Sequence, residues 1–287
     1  MQGIIVKGIG GFYYIKAEDS NIYECKARGI FRKENIKPVI GDRVQISVTD
    51  SQHGSIDKIE PRKTELIRPP VANIDTLIIV IAAKNPSPDY YLTDKLLLIA
   101  ELKGITPAIC VNKIDLEASE KIKSIYANTG YEIFEACAAE NMIPDELREF
   151  LKNKTTAFAG LSGVGKSSIL NLITDCSAET GGISEKIGRG KHTTRHVELF
   201  ELKGGGFVLD TPGFSSLQPD IIDCSQLALY FPEMSALSDK CRFKGCAHIS
   251  EPNCAVKSAL EMGAISEERY LSYTKMYEIL KNHKPWE

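Results

Sequence analysis

The order of two short segments constrains this chain more than any other feature. "ICVNKIDL", residues 109–116, holds Asn112-Lys113-x-Asp115, a pattern suited to a guanine base. "GLSGVGKSS", residues 160–168, holds G-x-x-x-x-G-K-[ST], a loop that cradles phosphates when it follows a buried strand and opens a helix. Regulatory nucleotide-binding domains that carry both segments normally place the phosphate loop first. Here it comes second. Either one segment is an accident or the elements of the domain are joined in a rotated order.

The surroundings of each segment favour the second alternative. The phosphate loop follows the apolar run Thr156–Ala159 and leads into a helical pattern, Ser167–Ile173. Across Gly160, Leu161, Ser162, Gly163, Val164 and Gly165 the backbone would curl so that successive N–H groups face phosphate oxygens. The helix N-terminus around Ser168 would add its partial positive charge. Lys166 would reach the β- and γ-phosphates, and the Ser167 hydroxyl would ligate Mg²⁺. "VLDTPG" then supplies Asp210 at the end of an apolar strand, to hold a Mg²⁺-bound water, and Gly213, whose N–H would sense the γ-phosphate. Alone, Asp-Thr-Pro-Gly is also ordinary turn chemistry.

Asn112-Lys113-x-Asp115 explains the choice of base. An Asp115 carboxylate can accept both N1–H and N2–H₂ of guanine, and adenine offers no such pair. Sites built around a substrate's hydrogen bonds reject an analogue lacking them by roughly 10⁴-fold or more. Lys113 would lay its stem over the base plane, and Asn112 would brace the loops. The competing reading is a polar surface loop. In "EACAAEN", Cys137 and Ala138 end another strand and are candidates to offer backbone groups to the guanine edge.

The rest of the chain divides by texture. Residues 1–68 contain "GFYYIKA", "NIYECKA", "RVQISVT" and "GSIDKIEP", short runs of β-branched and aromatic residues punctuated by Gly, Asn and Asp. They predict a small closed barrel, of which the OB-fold is the common nucleic-acid-binding example. Residues 69–218 alternate apolar runs with helical patterns, notably Tyr90–Lys103 and Glu117–Asn128, which predicts a parallel sheet covered by helices. Residues 219–287 read as helical over 222–238 and 255–281, with a cysteine cluster between.

That cluster, "CRFKGCAHISEPNC", places Cys241, Cys246, His248 and Cys254 at C-x₄-C-x-H-x₅-C. Three thiolates and an imidazole make the usual closed set of structural Zn²⁺. Lys240, Arg242 and Lys244 stand among the ligands and are either phosphate contacts or a solvated loop face. Cys25, Cys110, Cys137, Cys176 and Cys224 are scattered singly and read as reduced core residues. The start, "MQGIIVKGIGG", has no basic leader, and the longest apolar runs fall far below the roughly 20 residues needed to span a bilayer. A cytoplasmic protein without a membrane partner is expected.

Taken together, barrel, base loop, phosphate loop, Mg²⁺ aspartate and zinc cluster resemble, over essentially the whole chain, the RsgA family (YjeQ/YloQ) of bacterial GTPases of small-subunit ribosome assembly. The resemblance implies an α/β fold: a circularly permuted Ras-like P-loop GTPase domain with an N-terminal OB-fold β-barrel and a C-terminal helical zinc-binding domain. It implies GTP hydrolysis to GDP and phosphate, Mg²⁺ with the nucleotide, and a monomer that binds the small ribosomal subunit and its rRNA and leaves on hydrolysis. By resemblance to the family's H-T-T stretch, Thr194 is the second Mg²⁺ ligand, with Thr193 the alternative, against the reading of a hydroxyl pair that merely enters a strand. Phe214 stands where many GTPases have a water-orienting Gln, so His192 is the candidate for that role, against the reading of a solvated loop histidine. The basic residues Arg28, Arg32, Lys33 and Lys37, and the tyrosines Tyr13, Tyr14 and Tyr23, are candidate RNA contacts on the barrel, although core packing competes for the tyrosines. Other functions compatible with the residues are a GTPase of tRNA modification or metal delivery, and an RNA-binding module with a purely structural nucleotide site.

Overall fold

The computed structural model describes residues 1–67, 69–174, 197–210 and 222–282. These fall into two units, one of Met1–Ile78, Ile143–Ala159 and Lys166–Phe214, the other of Ile79–Met142, Gly160–Gly165 and Ser215–Glu287.

In the first unit, alternation of apolar and polar residues produces the expected barrel. Strands β1 (Gln2–Ile9), β2 (Phe12–Ala17), β3 (Ile22–Ala27), β4 (Arg43–Val48) and β5 (His53–Ile59) close in the order β1-β2-β3-β5-β4. Every pairing is antiparallel except β3 with β5. The inward positions Ile5, Ile15, Cys25, Val44, Ile46 and Ile56 form a core of apolar side chains at strand period two. Between β3 and β4 a short helix, α1 (Gly29–Lys33), seats Phe31 in that core and leaves Arg32 and Lys33 exposed. Asp42 is fully buried at the barrel's base, where it accepts bonds from Arg62 Nε at 2.8 Å, Arg62 Nη2 at 2.9 Å and the Val39 amide at 2.8 Å. A buried carboxylate needs such partners, since an unpaired one is expelled from low dielectric.

Beyond the barrel come the short strands β6 (Glu65–Leu66) and β7 (Val71–Ala72) and then a sheet in the order β10-β9-β8-β11-β13-β12. Its strands are β8 (Thr76–Ala82), β9 (Thr106–Asn112), β10 (Glu132–Glu135), β11 (Thr155–Ala159), β12 (Phe200–Glu201) and β13 (Phe207–Asp210). All seven residues of β8 and all five of β11 are buried, as strands covered on both faces must be. β9 with β10 and β11 with β13 are parallel, as the alternating pattern predicts. The edge strand β12 departs from it by pairing antiparallel with β13. Within the same unit the segment leading into β12 is tied to the barrel, with Leu199 N–H donating to Val6 O at 2.9 Å and Lys7 paired with Glu198 at 3.0 Å.

The second unit carries the helices α2 (Tyr90–Lys103) and α3 (Glu120–Tyr126) and three C-terminal helices, Pro232–Ser238, Ala255–Glu261 and Glu267–Asn282, whereas α4 (Asp145–Leu151) belongs to the first unit. α2 has the bounds read from the sequence, for identifiable reasons. The Asp89 side chain caps its start by accepting from Leu92 N–H at 2.9 Å, and Gly104 ends it in the left-handed conformation. α3 is shorter than the expected 117–128. The expected helix over 255–281 is two helices, because the chain turns at Gly263 with φ of +71°. The expected helix over 222–238 is a tighter 3₁₀ turn, Cys224–Tyr230, followed by an α-helix begun by Pro232. Arg269, almost fully buried, joins three of these elements. Its Nε and Nη2 donate to Glu233 at 2.7 and 3.0 Å, its Nη1 donates to Asp94 at 2.7 Å, and the Phe231 ring lies 4.5 Å away.

Among the described residues no helix is long and apolar enough to cross a membrane. The described cysteines are all free. Cys25, Cys110 and Cys137 are buried as expected, Cys224 is only half-buried, and Cys176 lies outside the described residues.

Candidate functional site

β9 delivers Asn112 at its C-terminal end, where a parallel strand of an open α/β sheet typically presents binding groups. The Asn112 side chain is buried and engaged at both ends. Its amide donates to Val164 O at 2.8 Å, and its oxygen accepts from Ala138 N–H at 3.1 Å. One side chain therefore holds the phosphate loop, the base loop and the loop after β10 together, the bracing expected of it. The next residue, Lys113, has a positive φ of +63° that lifts its side chain back over the loops. There its ammonium donates to Gly163 O at 2.7 Å and to Asn85 O.

Asp115 is exposed, so its carboxylate faces solvent, where a base could meet it. One oxygen, Oδ1, accepts from the Cys137 thiol at 3.0 Å. The backbone of Cys137 makes a reciprocal pair with Met142, N–H to O at 2.9 Å in both directions, and the Ala138 N–H is held by Asn112. Both of these amides are thus committed within the protein.

The phosphate loop begins where buried β11 ends. Gly160, with φ of +139°, lies against the Val80 carbonyl, and a Cβ there would collide with it. Gly165, with φ of +95°, lies against the Asn112 amide in the same way. These two glycines are required by close approach as well as by torsion. Val164 is buried, Ser162 and Gly163 are exposed, and the helix α5 (Lys166–Ile173) follows directly.

In the first unit, Lys166 and Ser167 open α5 and Asp210 closes β13. The Ser167 hydroxyl donates to Asp210 Oδ2 at 3.5 Å. Two oxygen donors side by side at a helix start and a strand end form a hard-ligand set of the kind Mg²⁺ takes. Lys166 is half-buried. Burial lowers its pKa, and the Asp210 charge opposes that shift. His192, Thr193, Thr194 and Gly213 lie outside the described residues.

The third site is in the second unit. The ligating atoms of Cys241, Cys246, His248 and Cys254 all lie within 4.8 Å of one another. Cys241 Sγ is 3.9 Å from Cys254 Sγ and 3.6 Å from His248 Nδ1, which is 3.3 Å from Cys254 Sγ. A tetrahedral ion with bonds of about 2.3 Å to sulfur and 2.0–2.1 Å to nitrogen separates its sulfurs by about 3.8 Å and sulfur from nitrogen by about 3.5 Å. The residues fit a metal ion. The far ring nitrogen, His248 Nε2, meets Ser238 Oγ at 3.3 Å, a partner that fixes the ring.

Around the ligands the Glu251 carboxylate accepts from the amides of Ala247 at 2.8 Å, Ile249 at 3.0 Å and Ser250 at 3.1 Å. Tyr270 and Tyr273 donate to the carbonyls of His248 and Ala247 at 2.6 and 2.7 Å. Burial and the adjacent Cys254 thiol push Cys246 up to about 12, so a bound cation is what would favour the thiolates.

On the barrel, a groove of about 660 Å³ is lined in part by Phe12, Tyr13, Lys26, Arg32 and Lys37. Tyr23 is in the barrel core, as the packing alternative has it, and Tyr14 donates to Glu24 at 2.8 Å. Arg28 is paired with Asp57 at 2.8 Å.

The matches to known families agree with this arrangement. A model described as the RsgA N-terminal domain matches residues 2–56, and one described as RsgA GTPase matches residues 59–220. The chain belongs to the RsgA GTPase family. It is 51% identical over 286 residues to a small ribosomal subunit biogenesis GTPase RsgA of Ruminiclostridium cellulolyticum, covering 98% of this chain and 94% of that one. To the protein of the same name from Agathobacter rectalis it is 44% identical, with both chains covered completely. A crystal structure of YjeQ from Thermotoga maritima superposes with a TM-score of 0.84 at 36% identity over 99% of each chain. The crystal structure of YloQ, described as a circularly permuted GTPase, gives a TM-score of 0.80 at 36% identity, covering 100% of this chain and 96% of that chain. An RsgA GTPase is a GTP hydrolase, and the rotated motif order is therefore a permuted GTPase fold with a closed N-terminal barrel.

Several residues that organise this RsgA architecture gave no signal in the sequence. Asn85 acts through its backbone carbonyl, which any residue type supplies. Ser238 and Glu251 are ordinary polar residues, although Glu251 stands between two ligands of the metal motif, where a buttress could have been sought. Arg269 stands 175 residues from its partner Asp94.

Proposed function

We propose that this chain binds GTP through Asp115, Lys113 and the loop 160–168, and that hydrolysis governs its residence on the small ribosomal subunit. The observation that carries the guanine reading is the two-ended Asn112 side chain, which holds the phosphate loop and the base loops in fixed relation. Lys166 grips the β- and γ-phosphates. Ser167 and Asp210 would hold Mg²⁺, with Thr194, or Thr193, as the further ligand. Magnesium supplies charge neutralisation on the phosphate oxygens when bound. Gly213 reports the γ-phosphate, and His192 orients the attacking water.

The functional division is three domains, 1–68, 69–218 and 219–287. The first binds rRNA, the second binds and hydrolyses GTP, and the third is built around Zn²⁺ at Cys241, Cys246, His248 and Cys254. The groove with Lys26, Arg32 and Lys37 beside Phe12 and Tyr13 supports the RNA reading, because cations with adjoining rings suit phosphate and base together. The protein acts in the cytoplasm as a monomer, assists late maturation of the subunit and leaves when GTP becomes GDP.

Sedimentation with small subunits tests this. Co-migration is expected with a non-hydrolysable GTP analogue and release with GDP, together with faster GTP turnover when subunits are added. Equal co-migration in all nucleotide states, or turnover indifferent to the particle, would defeat the proposal.

A further inference from the structure

Cys137 is buried and its thiol lies 3.0 Å from Oδ1 of the exposed Asp115. Its backbone is fixed by the reciprocal Met142 pair, and the neighbouring Ala138 amide is fixed by Asn112, so the sulfur is held in place from both sides. Burial, followed by the hydrogen bond to Asp115, raises the thiol's pKa, which keeps its proton on sulfur. A protonated thiol donates, and a carboxylate that accepts a bond on one oxygen has lost most of its freedom to rotate about its last torsion. Two parallel acceptors facing one edge of guanine need that torsion set.

We infer that Cys137 is the positioning residue for guanine specificity, its thiol orienting the Asp115 carboxylate so that both oxygens meet N1–H and N2–H₂ of the base. This rests on the reading of Asp115 given above. It also differs from the role the sequence suggested for this loop, in which backbone groups would approach the base. The step is non-covalent, and the thiol acts only as a donor.

The consequence is a particular kind of discrimination. Inosine lacks the N2 amine and needs only one well-placed carboxylate oxygen, whereas guanine benefits from both. Loss of the thiol donor should therefore weaken GTP more than ITP. Loss of packing alone should weaken both alike.

The test compares GTP and ITP affinities by titration in the full-length protein carrying Cys137→Val, Cys137→Ala and Cys137→Ser. The expected result is a GTP-over-ITP preference that narrows about fivefold in the valine and alanine variants, the scale of one lost hydrogen bond, and stays within about twofold of wild type in the serine variant, which restores a donor. An unchanged preference in the first two variants, or an equal loss for both nucleotides, overturns the inference.

Asp115→Asn separates this inference from the reading beneath it. If that variant does not trade GTP for XTP, the guanine assignment itself fails, whatever Cys137 does. Should the valine and alanine variants not fold, the infrared S–H stretch of the otherwise unaltered protein decides. A band assigned to Cys137 by its loss in Cys137→Ser is expected to shift upward in Asp115→Ala, and no shift overturns the proposal.

Discussion

The base corner around Asn112 and the Cys/His loop are both polar sites in the second unit, and they are assembled in opposite ways. The Cys/His loop is contiguous. All four ligands fall within residues 241–254, and Glu251, Tyr270 and Tyr273 fasten the loop backbone around them. The base corner is dispersed. Asn112 reaches 52 residues along the chain to Val164, and Lys113 reaches 50 to Gly163. The contiguous site is arranged to hold an ion that the chain does not itself supply. The dispersed site is held by hydrogen bonds the protein makes unaided, and it leaves one carboxylate facing out. A local site is thus conditional on its ligand, and a dispersed one on the fold.

The largest effect should follow removal of the metal. Structural Zn²⁺ binding is of order 10 kcal/mol at neutral pH, so chelation or Cys254→Ser should abolish cooperative melting of the C-terminal helices. Calorimetry with metal analysis checks it. Wild-type melting after complete demetallation would erase the contrast between the two sites.

Asn112→Ala should come next. It leaves the Val164 carbonyl and the Ala138 amide without their Asn112 partner, a cost of about 2–6 kcal/mol for two groups. GTP affinity should fall by roughly 100-fold, read by nucleotide titration, while metal content stays full. Loss of the metal in this variant would mean the two sites are not independent.

Ser238→Ala should cost about tenfold in metal affinity without lowering GTP affinity, because it removes the partner of His248 Nε2 and, besides that, one bond to the Met234 carbonyl within its own helix. Competition with a chromogenic chelator measures it.

The smallest effect concerns Lys166. Its pKa is lowered by burial and raised by Asp210, so the cation is present below that pKa and is lost as pH rises through it. GTP affinity should decline on the alkaline side earlier than an ordinary lysine would dictate, and Asp210→Asn should move the decline to lower pH. Affinity measured against pH, at fixed salt, reads the shift.

The same contrast explains how much could be read in advance. Fixed spacing brought out the four residues that could hold a metal ion, because C-x₄-C-x-H-x₅-C is itself the geometry of the loop. α2 was legible from its helical pattern, and Asp89 and Gly104 start and stop it by local chemistry at the bounds that pattern gave. The barrel was legible from short runs of β-branched and aromatic residues punctuated by Gly, Asn and Asp. The antiparallel β12 was not, since two residues carry no period. Nor were the anchors of Lys113, because a backbone carbonyl leaves no trace in a sequence. The Cys137 thiol escaped attention for another reason. Cysteines scattered singly read as packing, and only the fold brings the Asp115 carboxylate within reach of one of them.

The buried guanidinium of Arg269 imposes a condition on the helix that bears it. Three donated bonds and an aromatic face are satisfied together only at one angular setting of Glu267–Asn282. A slip by a single residue would swing that plane by about 100° and strand a charge away from its counterions. This helix therefore has no neighbouring register to drift into. Whatever pulls on it must either leave it where it stands or dislodge it altogether.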